Sequence, residues 1–169
     1  ALAMVRNVQG GVSMASGKND LASQMYFDAI EYTKSDTASA RILYTYHNLV
    51  ILLNNMDKHT KALEYAFKQY EWAKRLKIPD EVAYASSNIA DTYLELKDSA
   101  NAAIYINEFI AAAKNTPDPY LKVIGKNQMG MLRYIEKNYA EAAQYFIQSL
   151  DLNNNLVDQQ LGCITLLTL

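Results

Sequence analysis

Asp91 and Glu95 stand one helical turn apart and are the nearest this chain comes to a carboxylate pair for acid–base chemistry. The same spacing also describes any polar helix face, so it carries no catalytic expectation. The two histidines, His47 and His59, have no Cys or second His at a metal-ligand spacing, and no zinc site is expected. His59 lies between Lys58 and Lys61 in a stretch that reads as a solvated turn. Neither phosphate-binding loop pattern occurs, and Gly10-Gly11 sits inside a helical pattern as a close-packing signal. No strand–turn–helix context supports a serine nucleophile. Cys163 is alone and forms no internal disulfide. Catalytic, metal and cofactor sites are therefore all expected to be absent, and a helical enzyme or small-molecule carrier is the least supported class.

The composition agrees. Half of the 169 residues are apolar and a fifth charged, which suits one globular domain and not a disordered chain. Six Gly and three Pro leave long helices uninterrupted. A net charge of −2 gives no general attraction to nucleic acid or to an anionic membrane. No run of 18 apolar residues could span a bilayer. The N-terminal ALAMVRNVQG has no signal-peptide layout, which slightly favours the cytoplasm, and no initiator Met, so a fragment of a longer chain is expected.

What must position any binding residues is a repeat. Alanine recurs at 22, 62, 102 and 142, forty residues apart each time. Twelve residues ahead of each stand Gly10, Val50, Ala90 and Gly130, all small or slim. Such a period marks a solenoid of stacked supersecondary units. Each unit reads as two helices: near 2–16 and 19–34, 38–54 and 58–77, 80–96 and 99–114, 119–136 and 139–152. Asp36 and Asp80 are expected to cap the second and third units. Leu43, Tyr46, Leu49, Val50 and Leu53 form one apolar stripe, and Ala62, Tyr65, Ala66, Gln69, Tyr70 and Ala73 form its mate. The small residues let paired helices approach to about 8–10 Å. The thirteen Tyr are expected to fill the core and the joints between units. Trp72 is expected to be buried packing. The fold class is all-α: a right-handed α-solenoid of antiparallel helix pairs in one domain over 1–169. Its units are approximately 1–35, 36–78, 79–116 and 117–155, with a partial fifth over 156–169.

On these residues the chain resembles the tetratricopeptide repeat. Ile89, Ala90, Tyr93 and Ala102 match its pattern, as do Met129, Gly130, Ala142 and Phe146, and Leu49, Val50, Ala62 and Tyr65. The resemblance covers about 1–155. The family's Trp is replaced by Arg6, Tyr46, Ser86 and Lys126, and its closing Pro by Lys34, Lys74, Lys114 and Asn154. The long unit is similar to that of bacterial regulators in which such an array joins a further module.

The resemblance implies a groove lined by the first helices. Carried across, its positions are Met4, Tyr44, Tyr84 and Ile124; Asn7, His47, Ser87 and Asn127; Val8, Asn48, Asn88 and Gln128; and Gly11, Ile51, Asp91 and Met131. Amides at successive units can donate to and accept from a peptide backbone without demanding charge. The family's clamp for acidic tails needs cations here, and only Lys122 and Lys126 are near. The expected function is non-enzymatic binding of a peptide or protein segment by Tyr44, His47, Asn48, Tyr84, Asn88, Asp91 and Asn127. On this view Asn48→Ala with Asn88→Ala weakens binding and leaves the melting temperature unchanged. The alternative is the sensory or dimerising part of a larger regulator, with Leu161, Ile164, Leu167 and Leu169 as a surface for a partner or a second copy.

Overall fold

A turn of one shape, placed four times at the same interval, organises the molecule. The computed structural model describes residues 2–33, 40–114 and 116–167, with side chains as far as 157. The described residues form eight helices and no strand: α1 (Leu2–Ala15), α2 (Asn19–Thr33), α3 (Arg41–Asn55), α4 (His59–Leu76), α5 (Pro79–Glu95), α6 (Ser99–Ala113), α7 (Tyr120–Ile135) and α8 (Tyr139–Leu167). Gly17, Asp57, Lys97 and Lys137 all take left-handed backbone, with φ between 56° and 71°. After each, the next N–H reaches back to close the first helix: Lys18 to Ser13 O at 2.9 Å, Lys58 to Leu53 O at 2.8 Å, Asp98 to Tyr93 O at 2.9 Å and Asn138 to Arg133 O at 2.8 Å. This is a Schellman closure that satisfies carbonyls the helix leaves open.

Only the first of these turns uses glycine, the residue that adopts this conformation without a Cβ penalty. Left-handed backbone costs a side-chain-bearing residue about 1–2 kcal/mol, and glycine's extra unfolded-state freedom returns about half of that. Lys97→Gly is therefore expected to stabilise the chain by about 0.5–1 kcal/mol. A urea midpoint that falls would show that the Lys97 side chain matters more than its backbone.

The turn hands each chain to a second helix whose alanine docks on the first. Ala22, Ala62 and Ala102 are fully buried and Ala142 nearly so. The stripe Leu43, Tyr46, Leu49, Val50 and Leu53 is buried as the periodicity requires, and so are Ala66, Gln69 and Ala73 opposite it. Trp72 is only half-buried, under the Arg75 guanidinium at 3.8 Å from the ring centroid.

The second helices α2, α4 and α6 also pack on the next first helix, and α3 packs on α1, α5 on α3 and α7 on α5. The backbones of α2, α4, α6 and α8 stay apart from one another among the described residues. First helices therefore form the tighter, inner layer and second helices the wider, outer one. Aromatic rings span the outer gap. Phe27 meets Tyr65 at 5.8 Å, Phe67 meets Tyr105 at 5.6 Å, and the Tyr70 hydroxyl donates to Glu108 at 2.6 Å. The chain is an all-α solenoid of antiparallel helix pairs.

Two local expectations are corrected. Asp80 does not cap α5: Ile78 is the cap and Pro79 the first helical residue, with Asp80 and Glu81 in the first turn facing the helix dipole. Asp98, by contrast, caps α6 by accepting from Asn101 N at 3.1 Å; the Asn101 side-chain amide, donating at 2.7 Å, and then this cap bond hold its carboxyl below the usual range. No turn forms near 153–155, and α8 runs unbroken to Leu167. Asn153, Asn154 and Asn155 are weak helix formers, at about 0.7 kcal/mol each, but without Pro or Gly nothing bars the helix. Asp36 lies outside the described residues, as do Leu169 and the side chains of Leu161, Cys163, Ile164 and Leu167.

Candidate functional site

The inner layer carries the residues proposed for binding, because α1, α3, α5 and α7 present their polar stripes side by side. The stripes do two different jobs. One runs sideways and ties each first helix to the next. Asn48 Nδ2 donates to Asn7 Oδ1 at 3.3 Å, Asn88 Nδ2 pairs with His47 Nδ1 at 3.0 Å, and Gln128 Nε2 donates to Ser87 Oγ at 2.8 Å. Every rung joins residues 41 apart in sequence. These are the amides expected to face a ligand, and the structure turns several of them into a ladder between units.

Asn88 is the clearest case. It is 5% exposed, and its second proton goes to Gln69 Oε1 at 2.6 Å. Gln69 lies on α4 and His47 on α3, so Asn88 of α5 pins three helices at one point. With Asn88 donating, His47 Nδ1 accepts, which requires the neutral ring protonated at Nε2. Burial lowers the His47 pKa and keeps it in that form. Asn88 is thus a positioning residue behind the surface and not part of it. The expectation that its truncation leaves the melting temperature unchanged is corrected for the same reason.

The other stripe stays open. Tyr44 is 60% exposed on α3, and Asp91 and Asn127 face solvent on α5 and α7. Met4 and Met131 extend the stripe in both directions. Tyr84 is half-buried, edge-on to His47 at 5.7 Å, and its hydroxyl donates to Asp118 in the connection before α7. Burial and that bond raise the Tyr84 phenol, so it stays protonated. Asn48 is half-exposed with its amide group engaged.

Asp91 is where the two stripes meet. Its Oδ1 accepts from Gln128 Nε2 at 2.8 Å. The side chain touches solvent but stands among packed helices, and this desolvation raises its pKa to about 6 against the Gln128 bond, with Glu95 adding to the rise. A carboxyl with a pKa of about 6 on the open side of α5 can hold a cationic or hydrogen-bond-donating group. Gln128 Oε1 is buried there without a partner. Among the described residues, no three His, Cys, Asp or Glu side chains gather to hold a metal ion. No helix among them is long and apolar enough to cross a membrane.

The sequence reading missed the ladder. Its signal was present, since the polar residues at 7/48, 47/88 and 87/128 share one offset, but two neighbouring stripes on a helix look alike until the next unit is placed.

Comparison with known proteins comes to the same fold. The regulatory protein RapK of Bacillus subtilis (strain 168) is 26% identical over 118 residues, which make up 67% of this chain and 32% of RapK. The apo form of RapI superposes with a TM-score of 0.79 at 17% identity, covering 95% of this chain and 58% of RapI. BtubC (BKLC) from P. vanneervenii superposes with a TM-score of 0.78 at 16% identity, covering 92% of this chain and 64% of BtubC. The chain thus spans about a third of the length of RapK and about three fifths of RapI. No protein-family model matches the chain. These likenesses establish a tetratricopeptide-like helical-repeat fold.

Proposed function

We propose that this chain is a non-enzymatic scaffold that binds an extended peptide or protein segment along its inner layer. One observation carries the proposal: Tyr44, Asp91 and Asn127 are open on three adjacent first helices, while the amides behind them are locked between units. A rigid, pre-arranged row of an aromatic, a carboxylate and an amide suits a segment that lies across several helices, because little ordering remains to be done on binding. Tyr84, His47 and Asn48 border the row, and Asn88 supports it from below.

Selection of a random peptide library on the immobilised chain supplies a probe, and calorimetry with the selected peptide measures it. Tyr44→Ala with Asp91→Asn is expected to weaken binding about tenfold, roughly 1.4 kcal/mol, with the helical circular-dichroism signal retained. Failure to select any peptide, or a selected peptide indifferent to both substitutions, would sink the proposal. For a peptide that places an amine against Asp91, affinity should rise with pH through about 6, because the carboxyl is protonated below that value and gains its charge above it. Folding responds in the opposite direction. The raised carboxyl contributes stability below about 4 that is lost as pH rises to about 6.

A second proposal is that the array is the sensory or dimerising region of a larger regulator, a long-unit repeat array joined to a further module. The alignment with RapK, called a regulatory protein, favours it.

A further inference from the structure

Tyr26 carries a hydroxyl that its place in the repeat does not ask for. Its ring lies against Gly10, where a Cβ would stand 2.5 Å from Cε1, and Phe146 lies against Gly130 in the same way, also at 2.5 Å. A phenyl ring alone therefore fills this space. Ala66 and Ile106, at the same place in the two middle units, are apolar as well. Tyr26 is fully buried, and its hydroxyl has no hydrogen-bond partner among the described residues. A buried donor without an acceptor lowers stability, so this group calls for an acceptor that packing does not supply.

The hydroxyl lies beneath Gly11. A Cβ on Gly11 would stand 3.8 Å from it and, beyond α1 itself, within 4 Å of no other described atom. Gly11 holds the place that Ile51, Asp91 and Met131 hold on α3, α5 and α7, and of these Asp91 and Met131 are open to solvent. The missing side chain thus leaves a notch in the open stripe, with the hydroxyl at its floor. An oxygen seated about 1 Å deeper than the absent Cβ reaches ordinary O–H···O distance. Burial, and after it Tyr44, raises the phenol pKa, so the group keeps its proton and can donate it. Arg6, the cation of α1, is taken up by Asp28 at 3.7 Å and Gln9 at 3.1 Å. The notch therefore offers one neutral donor, which suits an uncharged carbonyl better than a carboxylate.

We propose that the Tyr26 hydroxyl, reached through the notch at Gly11, donates a hydrogen bond to a main-chain carbonyl of the bound segment. This rests on the binding reading above and carries its row one helix further. α1, which sets Met4 and Gly11 along its open side, gains from the helix behind it the polar contact that Tyr44, Asp91 and Asn127 give on α3, α5 and α7.

The test measures melting temperature and affinity for the selected peptide in Tyr26→Phe and Gly11→Ala. Tyr26→Phe is expected to leave the melting temperature unchanged or raise it by up to about 4 °C, since it removes an unpaired buried hydroxyl. Gly11→Ala fills the notch at an ordinary contact distance and should raise it by about 2–4 °C through helix propensity. Each should nevertheless weaken peptide binding about fivefold. Affinity that holds in Tyr26→Phe but falls in the chain carrying Tyr44→Ala with Asp91→Asn would overturn this inference and leave the binding reading standing. A melting temperature lowered by Tyr26→Phe would also overturn it, by showing that the hydroxyl is used within the fold. So would a loss in Tyr26→Phe that Gly11→Ala does not share, because the segment would then not enter at the notch. If no peptide is selected, both readings fall together.

Discussion

Gly10→Val is expected to lower the unfolding free energy by about 2–3 kcal/mol. A Cβ at Gly10 would lie 2.5 Å from Tyr26 Cε1 and 2.8 Å from Cδ1, well inside contact distance and against a ring that is itself fully buried. The ring cannot step aside as a surface side chain could, because cores are packed to near-crystal density. Removing glycine from a helix interior gains about 1 kcal/mol of backbone propensity, and the overlap outweighs it. Gly130 repeats the situation, 2.5 Å from Phe146 Cε1.

The two middle units show what would rescue the variant. Residues 26, 66, 106 and 146 share one place in the repeat, and so do 10, 50, 90 and 130. Where the first helix has glycine, the second has a ring: Gly10 with Tyr26 and Gly130 with Phe146. Where the first helix has Val50 or Ala90, the second has Ala66 or Ile106. Total volume is kept while its division changes. Tyr26→Ala alone leaves a cavity and should cost about 3–5 kcal/mol. Gly10→Val with Tyr26→Ala recreates the Val50–Ala66 arrangement and should cost clearly less than the sum of the two. Urea denaturation of the four proteins in the cycle measures the coupling. Additive losses would mean that the two residues do not share a space.

Asn88→Ala should cost about 2–4 kcal/mol, although it removes only one small polar side chain. It takes a donor from Gln69 Oε1, which has no access to water, and from His47 Nδ1 on a third helix. A buried acceptor left without a donor loses its hydration as well as its bond. At about 2–4 °C per kcal/mol for a chain of this size, the melting temperature should fall by several degrees at least. Asn48→Ala, on a half-exposed rung with one bond at 3.3 Å, should cost about 1 kcal/mol or less. Equal effects of the two substitutions would show that burial does not distinguish the rungs.

The unequal rungs show how far the inner face was legible in advance. Helical periodicity put Asn7, His47, Asn48, Ser87, Asn88 and Gln128 on the inward half of their helices. It could not say which looked into the groove and which looked along the stack, because adjacent positions on that half differ by about 100°. The lateral approach of the next unit resolves them. Tyr44, Asp91 and Asn127 remained open, while Asn88 and Gln128 closed. The aromatic residues were read in part: Phe67, Tyr70 and Tyr105 fill the gap between units in the outer layer, as size and a polar tip allow, but Tyr32, Tyr44, Tyr134 and Tyr139 are exposed and not core.

The repeating turns lay beyond composition for a different reason. Gly17 signals left-handed backbone and Asp57 does so weakly, but Lys97 and Lys137 in the same place do not, because lysine has no preference for that region. The surrounding helices impose the conformation on them.

The sequence by itself determined the number of helix pairs, their pairing and the buried alanines, because these follow from spacing along one chain and from the size of single residues. The tertiary structure decided the division of volume between residues 16 apart, the ladder between units and the exposed row of Tyr44, Asp91 and Asn127. Each of these depends on the distance and angle at which one helix meets another. That geometry is set by all the side chains of an interface together and is written in none of them singly.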